Sequence, residues 1–218
     1  MVRLFLAVAL LASIGSQCNA QSLIPFQFTS EEDNQLVKET DSVKIYTATG
    51  DSNLVSIDEE NLYYKLMSRG HKLLAEGAYI TEGEKFLQDG KWLARYENGK
   101  LKTTGSYRKG IPIGTWQEYY ENGKPKRVTN YTPIASEHGE LFSCMSGTYI
   151  EYFENGKVKT SGFYSAAFTK VTDTMYVDDP ILNKSVTKYN VRYEYFPEKT
   201  GHWEHYTESG ELDKKEDF

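Results

Sequence analysis

Cysteine is almost missing from this chain, which holds two in 218 residues, Cys18 and Cys144. Met1–Ala20 reads as a secretory leader: Arg3 is the positive start, Leu4–Ile14 the apolar centre, and Gly15–Ala20 a small or polar exit with Ala20 before the cut. The apolar run is far shorter than the roughly 20 residues a spanning helix needs. Cleavage there leaves Cys144 alone, so the mature chain has no internal disulfide to form, and Cys144 is expected as a half-buried loop residue. No second long apolar run follows, which predicts a soluble mature chain. Histidine is scarce too. His71, His138, His202 and His205 have no cysteine or histidine neighbour at zinc spacing, and His202 and His205, three apart, fall on opposite faces of a strand. No metal site is expected. Gly-x-Ser-x-Gly, a phosphate loop and a dinucleotide fingerprint are all lacking, so no cofactor is expected either. Basic residues are outnumbered: the formal charge of −6 falls to −7 when Arg3 leaves with the leader, which argues against nucleic acid as a partner.

What the chain does have is a repeat. Gly114-Thr115-Trp116-Gln117-Glu118-Tyr119-Tyr120-Glu121-Asn122-Gly123-Lys124 is preceded by Gly90-Lys91-Trp92-Leu93-Ala94-Arg95-Tyr96-Glu97-Asn98-Gly99-Lys100. Gly147-Thr148-Tyr149-Ile150-Glu151-Tyr152-Phe153-Glu154-Asn155-Gly156-Lys157 and Gly201-His202-Trp203-Glu204-His205-Tyr206-Thr207-Glu208-Ser209-Gly210 follow it. Each copy keeps a glycine, an aromatic two residues on, another five or six on, and a glycine nine on. Repetition of this kind decides the fold ahead of any single-residue signal.

Asn-Gly between short aromatic and β-branched runs signals a tight hairpin, because a two-residue type I′ turn needs positive φ at both positions. A two-residue loop at Asn98-Gly99 predicts Glu97 opposite Lys100, Tyr96 opposite Leu101, Trp92 opposite Gly105 and Gly90 opposite Tyr107. Around Asn155-Gly156 the same rule places Tyr149 opposite Gly162 and Gly147 opposite Tyr164. A ring laid over a facing glycine restores packing the glycine lacks. Period-2 alternation then puts Trp92, Ala94, Tyr96, Leu101, Thr103 and Tyr107 on one face, and Lys91, Arg95, Glu97, Lys100 and Lys102 on the other. One hairpin is marginal alone, so successive hairpins must join into one sheet.

The pattern aromatic-x-x-x-Tyr-x-x-Asn-Gly-Lys, followed by Gly-x-Tyr, resembles the MORN-repeat family in its bacterial variant form, some of whose members are labelled antitoxin-like. The resemblance covers residues 90–164 and 201–218, with a worn copy at 61–79. It implies an all-β, elongated antiparallel sheet of consecutive hairpins, acting as an interaction or lipid-proximal module rather than as a catalyst. Thr129, where other copies have Gly105 and Gly162, and Ser209, for the turn asparagine, depart from the pattern.

The organisation expected is a leader at 1–20, an irregular extension or cap at 21–60 and a repeat sheet at 61–218. Units lie near 61–79, 90–107, 114–131, 147–164 and 201–218, with inserts at 132–146 and 165–200. Residues 30–35 read as a solvated linker or cap, and Val43–Ala48 as the first strand. In the worn copy the step from Gly70 to Gly77 is one longer than from Gly99 to Gly105, which a bulge would absorb; Leu73–Ala75 alternatively opens a short helix. Pro133, His138 and Gly139 mark the first insert as a loop, while the second, around Asp178-Asp179-Pro180, is an added hairpin. Lys214–Asp217 is expected to fray.

For function, the aromatic face is the candidate binding surface: Trp92, Tyr96, Tyr107, Trp116, Tyr120, Tyr131, Tyr149, Phe153, Tyr164 and Trp203. Tyr and Trp suit contacts that are apolar on one side and wet on the other; the same rings form the core instead if they stack on one another. The leading expectation is an exported, periplasmic or secreted, non-enzymatic binding or scaffolding module of the cell envelope, with a protein, peptide or glycan partner. A second reading is peripheral membrane association through Lys100, Lys102, Lys124, Lys126, Lys157 and Lys159. In the third, Glu118 and Glu151, equivalent positions in neighbouring units, act as a carboxylate pair on a glycosidic bond. Leu11-Ala12-Ser13-Ile14-Gly15-Ser16-Gln17-Cys18 also has the form of a lipoprotein leader end, making Cys18 an alternative lipid anchor.

Overall fold

The computed structural model describes residues 34–48, 53–68, 70–83, 85–135, 141–179 and 184–218, and among these every regular element is a strand. The chain passes through β1 (Asn34–Glu39), β2 (Val43–Ala48), β3 (Leu54–Asp58), β4 (Tyr63–Met67), β5 (Leu73–Glu82), β6 (Lys85–Arg95) and β7 (Leu101–Arg108). It continues through β8 (Ile111–Tyr119), β9 (Pro125–Ala135), β10 (Leu141–Met145), β11 (Gly147–Tyr152), β12 (Val158–Asp179), β13 (Lys184–Tyr206) and β14 (Leu212–Asp217). All belong to one open antiparallel sheet laid down in chain order, with β10 beside the far half of β9. The all-β sheet of consecutive hairpins is thus as expected.

Several local expectations are corrected. Of the linker expected at 30–35, Asn34 and Gln35 belong to the strand β1 and 30–33 lie outside the described residues, while the described part of the extension holds the paired strands β1, β2 and β3. Of the insert expected as a loop at 132–146, the flanks are strand: β9 runs on to Ala135 and pairs with β10, Tyr131 opposite Met145, while His138 and Gly139 lie outside the described residues. Leu73–Ala75 is strand, not helix. Lys214–Asp217 pairs with His202–His205 and does not fray. The second insert is a hairpin, made by running β12 and β13 on without a break.

The repeat turns differ from the two-residue loop. Gly90 does face Tyr107 and Trp92 does face Gly105, but Leu101 pairs with Arg95, not Tyr96. The Tyr96 carbonyl accepts from Gly99 N–H at 2.8 Å, and Tyr96 N–H donates to the Lys100 carbonyl at 2.9 Å. Gly99 has a φ of 85°, whereas Asn98 stays out of the left-handed region. This is the three-residue loop closed by a glycine bulge, the next commonest hairpin connection. Asn98 is there for its side chain: Oδ1 accepts from Lys100 N–H at 2.9 Å. The two-residue type I′ turn does occur, at the sheet's opposite end, where Lys109 (φ 51°) and Gly110 (φ 81°) join Arg108 to Ile111.

The worn first copy obeys the same turn without an extra residue. Ser68 N–H donates to the Lys72 carbonyl and His71 N–H to the Ser68 carbonyl, so His71, not Gly70, takes the place of Gly99. Its φ of 58° is the value a glycine would adopt freely.

The core is one continuous face. Val55, Ile57, Tyr64, Leu66, Ala75, Tyr79, Trp92, Ala94, Tyr107 and Trp116 are buried along it. Each tryptophan sits on a glycine, but of the hairpin before it: Trp92 over Gly77, Trp116 over Gly105, Trp203 over Gly162. The facing glycines were expected under rings of their own hairpin, so this too is a correction. A Cβ on Gly105 would lie 2.1 Å from Trp116 Cδ2. Thr129 is the instructive exception. The ring facing it, by the Ile150–Val128 register, is Tyr149, so a larger floor meets a smaller ring. Burying a tryptophan in this way is worth roughly 4–6 kcal/mol.

Cys144 is neither half-buried nor a free thiol. It is fully buried on β10 and, in the full chain that still holds Cys18, disulfide-bonded; the lone sulfhydryl was expected of the chain after leader removal. The other cysteine, Cys18, and the whole leader lie outside the described residues.

Candidate functional site

Three surfaces carry the chemistry this sheet can offer. The first is the edge made by the Asn-Gly-Lys turns, which are stapled to one another. Asn98 Nδ2 donates to the Glu121 carbonyl at 3.3 Å, Asn122 Nδ2 to Glu154 at 3.1 Å, and Asn155 Nδ2 to Glu208 at 2.9 Å. Lys100 Nζ donates to the Asn122 carbonyl at 3.0 Å, Lys124 Nζ to Asn155 at 2.8 Å and Lys157 Nζ to Ser209 at 2.5 Å. Tyr96 and Tyr120 hydroxyls add bonds to the Tyr119 and Tyr152 carbonyls. Each such bond contributes about 1 kcal/mol. The repeated Asn, Lys and Tyr are therefore the connectors between units. Of the expected lysine stripe, Lys102 and Lys126 lie over the Tyr96 and Tyr120 rings and Lys159 pairs with Glu151 at 3.0 Å.

The second surface is the aromatic face. Trp92, Tyr107, Trp116 and Trp203 are at most 1% exposed and serve as core; Tyr96, Tyr120, Tyr131, Tyr149, Phe153 and Tyr164 are half-buried. Tyr64, Trp92, Tyr107 and Trp116 form a run of ring contacts with centroids 4.9–6.1 Å apart, and Tyr149, Tyr164 and Trp203 a second, at 5.0–5.6 Å. Burial raises the hydroxyl pKa of Tyr131, Tyr149 and Tyr164 above the ordinary tyrosine value, with Glu151 adding to the effect at Tyr149. The stretch between the two runs is polar. Arg127 of β9 lies between Glu118 of β8 and Glu151 of β11 in the strand register, and its Nε donates to Glu118 Oε1 at 2.8 Å. The two acids are thus engaged by different cations, Glu118 by Arg127 and Glu151 by Lys159. His202 and His205 likewise separate, the first exposed beside Asp217, the second between Thr160 (3.2 Å) and Glu216 (3.0 Å). Among the described residues, no group of His, Cys, Asp and Glu is arranged to hold a metal ion.

The third surface was not singled out from the sequence. The β12–β13 hairpin runs past the repeat frame as an arm, and along it Phe168 pairs with Tyr195, Thr172 with Val191 and Thr174 with Tyr189. Phe168 is 58% exposed, Tyr189 69% and Val191 47%. Tyr195 packs between Phe168 and Phe142 of β10, which holds the root of the arm. The alternation in Val171–Val177 and Val186–Phe196 was the available signal; only the register showed which apolar residues share a face.

A sheet of serially stacked hairpins, each contacting its neighbours, defines an open β repeat protein, a class whose surfaces act as platforms. Three consecutive segments, residues 88–109, 112–132 and 145–166, match the MORN repeat variant model. Residues 88–166 are thus similar to MORN repeats of the variant type, a repeat that suggests a binding or scaffolding module. No curated protein and no solved structure gives a significant match.

Proposed function

We propose that this chain is an exported, non-enzymatic scaffold of the cell envelope that engages a protein or peptide partner through the β12–β13 arm. The observation that carries the reading is the exposed apolar row Phe168, Val191 and Tyr189 on an arm that the repeat frame does not require. Aromatic side chains in such a position give large contact area at low entropic cost. The leader-like Met1–Ala20 supports export. Membrane association through the lysines has less support, since Lys100, Lys124 and Lys157 are engaged by neighbouring turns.

The test is site-specific photo-cross-linking from position 187 in intact cells, comparing the natural chain with Phe168→Ser/Tyr189→Ser/Val191→Ser. A defined adduct that the triple variant loses, at an unchanged unfolding midpoint, is the expected result. An adduct of equal yield in both would sink the arm as the binding surface. Recovery of the chain from the cytoplasmic fraction alone would sink the envelope role.

A further inference from the structure

The β12–β13 arm carries an open edge on each side. β12 leaves β11 at Tyr164, opposite Gly147, and β13 leaves β14 at Gly201, whose N–H and carbonyl both bond to Phe218. Beyond those points residues 165–179 and 184–198 run on in fifteen consecutive pairs without a bulge. Among the described residues, neither strand has a ladder partner there on its outer side. An edge that long and regular is a template for a further strand. The two ends of the sheet are built differently. β1 is six residues long with a shift in register between Leu36 and Lys38, and β14 is six residues long with five of them charged. Short, bulged or densely charged edges discourage pairing.

We propose that two copies of this chain join along the open edge of β13, antiparallel, about a two-fold axis through Val191. The order of charges on β13 carries the proposal. Lys188 and Lys184 stand three and seven residues before Val191, and Glu194 and Glu198 stand three and seven residues after it. In an antiparallel pair centred on Val191, Lys188 of each copy therefore faces Glu194 of the second copy, and Lys184 faces Glu198. Opposite charges set directly across two strands attract, and like charges repel. A slip of two residues sets Arg192 against Lys188 or against its own copy, and a slip of one turns the strand over, so a single register is selected. That register uses the whole open length, 184–198, and stops short of Gly201, which Phe218 already occupies. The contact is isologous, so it closes at two copies. It runs along the rim of the arm and leaves Phe168, Tyr189 and Val191 uncovered on one face of a shared four-stranded ribbon. A partner binding that row then meets it twice.

Sedimentation velocity of the exported chain over a concentration series is the test. A monomer–dimer equilibrium is expected, which Lys184→Glu or Glu198→Lys alone weakens roughly tenfold or more by setting like charges face to face. Mixed in equal amounts, the two variants should dimerise with each other, because every facing pair is then opposite in charge again. A natural chain that stays monomeric, single variants that dimerise as well as the natural chain, or a mixture that fails to associate each overturns the proposal. If a variant does not fold, hydrogen exchange on the unaltered chain decides. Exchange that slows across 184–198 as concentration rises supports the β13 edge; slowing in 165–179 instead, or none, refutes it. Neither substitution alters Phe168, Tyr189 or Val191, so failure here leaves the reading of that row standing.

Discussion

Gly105 and Trp116 offer a test of what holds neighbouring units together, because the chain already contains the alternative solution at Thr129 and Tyr149. Gly105→Thr places a Cβ 2.1 Å from Trp116 Cδ2, where carbon atoms rest at about 3.5–4.0 Å, so the ring has to retreat by about 1.5 Å. It has little room to do so, being 1% exposed with Tyr107 stacked edge-on at 4.9 Å. Overpacking of this kind costs about 3 kcal/mol, at the upper end of the usual range. Trp116→Tyr removes ring volume without removing a hydrogen bond, since Trp116 Nε1 is buried without an acceptor, and costs about 2 kcal/mol. The double substitution rebuilds the Thr129–Tyr149 pair in the preceding unit. It should cost about 2–3 kcal/mol, not the additive 5 or so, a coupling of at least 1.5 kcal/mol between residues in contact. Urea unfolding followed by far-UV circular dichroism, at matched slopes, gives all three values. Additive losses would show that ring and glycine do not constrain each other, and the account of the inter-unit packing would be wrong.

Two further outcomes follow from the same coordinates. His71→Gly should stabilise the chain by about 0.5–1 kcal/mol: a φ of 58° costs an L-residue about 1–2 kcal/mol, against roughly 0.5–1 for the extra freedom glycine gains on unfolding. A lower urea midpoint for that variant would refute the alignment of His71 with Gly99. The alkaline limb of stability should be set by tyrosine. Burial raises Tyr79, Tyr131, Tyr149 and Tyr164 in the folded chain above the unfolded value of about 10, so their contribution is complete below pH 10 and is lost as pH climbs through the folded values. Absorbance at 295 nm should show these groups ionising late and together with unfolding; early ionisation near pH 10 in an intact fold would contradict their burial.

Much of this architecture was legible from spacing alone, because the information lies within one hairpin. Asn-Gly-Lys marked three of the repeat turns, and counting back from it gave Gly90 opposite Tyr107 and Tyr149 opposite Gly162 correctly. Period-2 alternation also named the buried face, since a strand sends successive side chains to opposite sides whatever surrounds it. The turn type was less legible: Asn98 and Asn155 looked like left-handed residues, yet their side chains cap the loop and bind the next turn instead.

What tertiary structure alone decided lies between units. Which glycine receives which tryptophan depends on how one hairpin lies against the next, and the uneven steps of 24, 33 and 54 residues between unit starts conceal that pairing from any local rule. The same holds for Lys100, Lys124 and Lys157, which read as part of a membrane-facing charge stripe until the neighbouring carbonyls were in place, and for Phe168, Val191 and Tyr189, whose shared face depends on a register set across the whole arm. Side-chain direction is a property of the strand and can be read from order; side-chain partnership is a property of distance, which only the folded sheet supplies.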